Sequence, residues 1–279
     1  MVAAFHGWND GGSAATLAAT YLKTSLDARR FAVIDPDEYV DFQQIRPTVS
    51  LNDGRTRRIS WPETEFFHAP LPGADRDLLL CIGVEPNLKW RAFSAEIAGV
   101  AVAAGTTLTI TLGGLLADTP HSRPVPITGT ASDPALIERL GFHRSRYEGP
   151  TGIVGVLHAA LADEGLPSAS LWAAVPHYIS ANTNPKAALA LLEALEPVVG
   201  AHFDPTELQQ ASTLFDQQVA SIAESDPEIT AYVEELERRS DDDESEEERE
   251  LPTGDELEAD FQRFLRDRKA PGEGSSGSD

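Results

Sequence analysis

The sequence predicts an α/β domain built on a mostly parallel β-sheet covered by helices on both faces, continued by an all-helical extension. Three observations carry that prediction. From Val2 to Tyr178 strand-like and helix-like stretches alternate at the spacing of βαβ units. The strand-like runs are near-continuously apolar, as strands buried on both faces are. Glycine and proline number 21 and 19, which suits many short turns rather than a long helical bundle.

The elements follow in order. Val2-Ala3-Ala4-Phe5 opens as a strand, the chain turns at Gly7 and Gly11-Gly12, and Ser13 is a suitable N-cap for an Ala/Leu-rich helix to about Leu26. Phe31-Ala32-Val33-Ile34 predicts a short buried strand closed by Asp35-Pro36. Thr48 to Leu51 and Arg55 to Trp61 flank Asn52-Asp53-Gly54, a hairpin signal that interrupts the alternation. Asp77 to Ile82 predicts a strand, Ala92 to Ala104 a helix, and Thr106 to Leu112 a strand ending at Gly113-Gly114. Ala117 to Pro126, with three prolines, predicts a surface loop. Helices are expected at Pro134 to Leu140 and Thr151 to Glu164, and a strand at Leu171 to Tyr178. After Asn184-Pro185 only helices are expected, over Lys186 to Val199, Thr206 to Glu224 and Pro227 to Arg239.

Charge and cysteine usage bound the function. The net charge is −23, and the stretch from Glu224 to Asp279 holds 21 acidic against 7 basic residues. Such a chain repels nucleic acid and anionic lipid, so neither is expected as a partner. The single cysteine, Cys81, lies in the apolar run Leu78 to Ile82, which predicts a buried structural thiol in a reducing cytoplasm. No apolar run approaches a membrane span and no targeting segment is expected. Ser240 to Glu250 is too charged to bury and predicts a solvated linker or frayed helix end. Beyond it Leu257, Phe261, Phe264 and Leu265 form one apolar stripe on a charged helix, and Gly272 to Asp279 predicts disorder. The expected organisation is an α/β domain over 1–200, a helical extension over 201–239, an acidic linker over 240–254, an amphipathic helix over 255–269 and a disordered tail over 270–279.

The segment Phe5-His-Gly-Trp-Asn-Asp-Gly-Gly12 resembles the opening motif of the PAC2 family, the proteasome-assembly-chaperone type. Ile34-Asp-Pro-Asp-Glu-Tyr39, Arg57-Arg-Ile-Ser-Trp-Pro62, Gly83-Val-Glu-Pro86, Leu116-Ala-Asp-Thr-Pro-His-Ser-Arg-Pro124, Tyr147-Glu-Gly-Pro-Thr-Gly152 and Val175-Pro-His-Tyr178 resemble its actinobacterial branch. The resemblance implies a three-layer α/β fold similar to purine nucleoside phosphorylases, a homo-oligomer, specifically a trimer, and kinship with chaperones that help build proteasomes. It implies no catalytic mechanism and no cofactor. Archaeal relatives carry a C-terminal hydrophobic-Tyr-any signature; this chain closes on Gly274 to Asp279 without it.

Candidate chemistry gathers where open α/β sheets place ligands, beyond the carboxyl ends of strands. Asn9, Asp10, Gly11 and Gly12 form a strand-to-helix turn whose free N–H groups suit an anion, although the same residue types turn and cap without any ligand. Asp118, His121 and Arg123 supply a carboxylate, an imidazole and a guanidinium within one Pro-rich loop, a composition that more often marks a rigid connector or a subunit contact. His177 follows a strand and joins them. Thr151-Gly152 is a second helix start, and His158 on its face is expected to be a satisfied core histidine. The seven histidines show no metal spacing. Two readings remain open. One is a non-catalytic oligomeric interaction protein, with proteasome subunits as partners and the Leu257 to Leu265 stripe as the contact. The other is a nucleoside- or nucleotide-binding enzyme using the crevice at the strand ends.

Overall fold

The structure, a computed structural model, describes residues 1–71, 74–145, 147–179 and 183–247. In chain order the elements are β1 (Val2–His6), α1 (Ala14–Ser25), β2 (Arg29–Ile34), β3 (Thr48–Asn52), β4 (Thr56–Ser60), β5 (Thr64–Ala69), β6 (Leu78–Val84), α2 (Trp90–Ala103), β7 (Thr109–Ala117), β8 (Ile127–Ala131), α3 (Pro134–Leu140), α4 (Ile153–Asp163), β9 (Ser168–Pro176), α5 (Pro185–Val199), α6 (Thr206–Glu224) and α7 (Pro227–Glu247).

Seven strands form one sheet in the order β2-β5-β6-β1-β7-β9-β8. β1 pairs in parallel with β6 and β7, and β7 with β9, while β5 and β8 run against their neighbours. The sheet is therefore mostly parallel, as expected, and β1 sits at its middle. Side chains alternate across it. Val2 and Ala4 face the cluster made with α1 and α5, through Ala15, Ala18, Leu22, Leu191 and Leu195. Ala3 and Phe5 face the opposite cluster, made with α2 and α4 through Phe93, Ile97, Leu157 and Leu161. Two helical layers thus sandwich one sheet. Cys81 belongs to the second cluster and is fully buried, and burial pushes its thiol pKa up.

Several expectations change. β5 and β8 were not predicted: polar residues at Glu65 and His68 interrupt the apolar pattern of β5, and β8 is a five-residue antiparallel edge strand after the proline loop. β2 is not buried. It is the sheet's other edge, and Phe31 and Val33 are about half exposed. β7 does not stop at Gly113-Gly114 but continues to Ala117, in register with β9 throughout. The hairpin forms where predicted, yet as a separate two-stranded sheet, β3 with β4.

The helical extension is packed rather than detached. Phe203 and Leu208 enter the α1/α5 core, α6 lies along α5, and α7 folds back on α6. α7 runs on through Glu247, so the first part of the acidic stretch is helical. The Leu257, Phe261, Phe264 and Leu265 stripe and the Gly272 to Asp279 tail lie outside the described residues. No helix among the described residues is long and apolar enough to cross a membrane.

Candidate functional site at the carboxyl edge of the sheet

The parallel strands β6, β1, β7 and β9 all end on one edge, and Asn9, Asp10, Gly11, Gly12, Asp118, His121, Arg123 and His177 follow strand ends there. They fall into two groups that meet at the loop after β1.

The first group surrounds Asn9 and Asp10. Both are buried, at 6% and 5% exposure. Gly114 N–H donates to the Asn9 carbonyl at 2.9 Å, so the loop continues the pairing of β1 with β7. Asp10 is the true cap of α1. Its carboxylate accepts from Ala15 N (2.8 Å), Thr16 N (3.3 Å) and the Thr16 hydroxyl (2.5 Å), whereas Ser13 has left-handed backbone and makes no capping bond. The predicted Ser13 cap is corrected: a short 3-10 turn over Gly11–Ser13, with Gly12 at φ 59°, carries the chain so that the carboxylate reaches back over the helix end. His6 Nδ1 lies 3.5 Å from the same carboxylate, which pulls the His6 pKa up.

A second helix end is filled in the same way. Glu85, just past β6, accepts from Ile153 N at the start of α4 (2.8 Å) through one oxygen and from Trp8 N (3.1 Å) through the other. The helix start at Thr151-Gly152 therefore holds an internal carboxylate. Asn9 Oδ1 is buried against Gly152 with no hydrogen-bond partner among the described residues.

The second group lies past β7 and β9. Asp118 and His177 approach at 3.0 Å, and the Tyr232 hydroxyl of α7 donates to Asp118 at 3.4 Å. His121 is 7% exposed; its backbone N–H donates to the Tyr178 hydroxyl, which also meets His121 Nδ1, both at 2.8 Å. With Nδ1 unprotonated, the hydroxyl that accepts from the backbone also donates to the ring. Burial lowers the His121 pKa accordingly and raises Tyr178 to about 12. Lys186 donates to the His121 carbonyl (2.5 Å) and pairs with Asp216 (3.2 Å). Arg123 grips Asp241 of α7 through two bonds of 2.8 Å, and Ser122 donates to Glu237. The rings of His177, Tyr178 and Tyr232 meet edge to face at 5.6 to 5.9 Å.

The chemistry of this edge is inward-looking. α7 lies across the strand ends, and the cavity left beside His121, Asn184 and Phe215 has room for about one water. The two groups join where Asn184 N–H donates to the Gly12 carbonyl (2.7 Å). Glu85, Lys186 and Tyr232 were not singled out from the sequence. Glu85 had a signal, a carboxylate directly after a strand facing a helix start; Tyr232 had none, because only the fold brings α7 here. Among the described residues no cluster of His, Cys, Asp and Glu suits a metal ion. Asp10→Ala is expected to cost about 2 kcal/mol in urea unfolding, with Asp10→Asn retaining most of the stability; a loss below about 0.5 kcal/mol in the alanine variant would refute the capping role.

The fold is a three-layer α/β domain whose described carboxyl edge is overlaid by its own C-terminal helices. The PAC2 family model matches residues 4–223, and the chain belongs to the PAC2 family. It is similar to a PAC2 family protein from Streptomyces avermitilis, with 43% identity and a TM-score of 0.76 over 84% of this chain and 98% of that one. It is similar also to a proteasome-assembly chaperone homologue of Mycobacterium tuberculosis, with 42% identity and a TM-score of 0.75 over 83% and 98% of the two chains. PbaB of Pyrococcus furiosus, an archaeal proteasome activator, shares the fold at 19% identity and a TM-score of 0.63, over 79% and 91%. No curated protein matches.

Proposed function

We propose that the protein is a cytoplasmic, non-catalytic interaction protein of proteasome-assembly-chaperone type that works as a homo-oligomer, a trimer. The observation that carries this reading is the 42% identity to the mycobacterial chaperone homologue, which the alignment follows over 98% of its length. The carboxyl edge supports it. Asp10 and Glu85 are spent on helix ends, His121 is held neutral against Tyr178, and Arg123 is committed to α7. A nucleoside- or nucleotide-binding enzyme would need those groups turned toward a cleft, and Asn9, Asp10, Gly11, Gly12, Asp118, His121, Arg123 and His177 are better explained as the joints that shape this edge.

Partner contact then runs through surfaces rather than a pocket, with Leu257, Phe261, Phe264 and Leu265 as the proposed anchor for α-type proteasome subunits. The test is affinity capture with the full chain as bait from its own cytoplasm. The wild type is expected to retain α-type subunits, and Phe261→Asp with Phe264→Asp to recover about tenfold less, as for loss of interface anchors. Capture of no proteasome subunit by the wild type would overturn the role.

A further inference from the structure

The β3–β4 hairpin is the least explained part of the molecule. It belongs to neither core cluster, pairs with no strand of the main sheet, and every described position from Thr48 to Trp61 is exposed. A lone two-stranded ribbon is marginal in water without something to pack on. Because Val49 pairs with Ile59 and Leu51 with Arg57 across the ribbon, Val49, Leu51, Ile59 and Trp61 share one face with Arg57 among them, and the four apolar side chains are 64%, 61%, 56% and 46% exposed. The ribbon is nonetheless aimed. The Trp61 ring meets Phe42 at a tilt, centroids 5.1 Å apart, and Phe42 packs against the α2/α4 core, so the root is anchored while the rest of the apolar face projects.

We infer that this hairpin is the arm by which one copy of the chain holds the next, its apolar face and arginines docking on the acidic surface of a second copy. The inference rests on the oligomeric part of the reading above and adds the surface that makes it. Charge selects the occupant: residues 48–61 carry Arg55, Arg57 and Arg58 against Asp53 alone, within a chain of net charge −23. An arm-to-arm contact would set two basic ribbons against each other. The arm therefore meets a different, acidic face of its neighbour, which makes the contact heterologous, and a heterologous contact whose rotation closes gives the ring that the oligomeric reading requires. The six apolar side chains exposed between Phe31 and Trp61, out of ten large ones exposed among the described residues, mark this end of the molecule as the one awaiting cover.

The experiment is sedimentation velocity on the full chain at a series of concentrations. Wild type is expected as a closed oligomer. Leu51→Asp with Ile59→Asp should raise the apparent dissociation constant by at least about 30-fold, the effect of removing an interface anchor, and leave thermal unfolding of the dissociated chain unchanged. Arg57→Glu with Arg58→Glu should weaken assembly in the same direction, and added salt should weaken the wild type but not this variant. A monomeric wild type would overturn both the arm and the oligomeric reading. An oligomer indifferent to both double variants would overturn the arm alone. A monomer whose hairpin amides resist hydrogen exchange, and lose that protection on Phe261→Asp, would give the cover to the chain's own C-terminal stripe and equally overturn the proposal.

Discussion

Replacing Gly114 with alanine is expected to destabilise the protein by about 3 kcal/mol and lower its thermal midpoint by about 10 °C in calorimetry. The added methyl would lie 2.6 Å from the Gly11 carbonyl oxygen and 3.1 Å from Gly11 N, and both are backbone atoms. No rotamer change can relieve that contact. β7 cannot move alone because β1 and β9 hold it on either side. The loop must move instead, which breaks the Gly114 N–H bond to Asn9 and drags Asp10 from its place over α1. Gly99, in α2, is the control: a methyl there meets nothing within 4 Å, and alanine should be neutral or stabilise by up to about 1 kcal/mol. Equal midpoints for the Gly114 variant and wild type would mean that the loop does not pack against β7 as described.

Acidification is expected to remove about 3 kcal/mol of stability through His158 alone. Its Nδ1 lies 2.7 Å from Ser168 Oγ and its Nε2 lies 2.8 Å and 3.1 Å from the hydroxyls of Ser170 and Thr111. Burial pushes its pKa down to about 4. An unfolded chain takes up a proton once the pH falls below the ordinary histidine value of about 6.5, while the folded chain refuses it until about 4. The contribution is therefore intact above pH 6.5 and lost progressively between 6.5 and 4. His121, also lowered by burial, acts with the same sign; His6, raised by Asp10, acts with the opposite one. Urea midpoints followed from pH 7 to pH 4 should fall less steeply in His158→Gln than in wild type. Parallel profiles would refute the assignment.

Much of the architecture was legible from local pattern. β1, β6, β9 and the helices α1, α2, α4, α5 and α6 follow from apolar runs and helical spacing, because each buries a face that its own residues define. β5 and β8 escaped because antiparallel strands at or beside an edge tolerate Glu65, His68 and Gly129, which blur any run. The candidate residues at the carboxyl edge were legible as residue types, but their partners within the fold were not. Asp10 reads from the sequence both as part of a ligand turn and as a capping or turning residue; its carboxylate, three positions before Ser13, takes the Ala15 and Thr16 N–H groups that a Ser13 cap would have taken, and nothing near Asp118 or Arg123 in sequence announces Tyr232 and Asp241, 114 and 118 residues away. Long-range docking of α7 is a property of the folded chain.

The burial of Cys81 has a practical side. It is the chain's one cysteine, fully buried in the same cluster as Phe5, Phe66 and Ile97 and kept protonated there. A thiol-directed dye or spin label offered to the native fold will thus ignore the wild type and mark only a cysteine introduced by design, so distances from the hairpin tip, α7 or the distal stripe to any neighbour can be measured without first rebuilding the core.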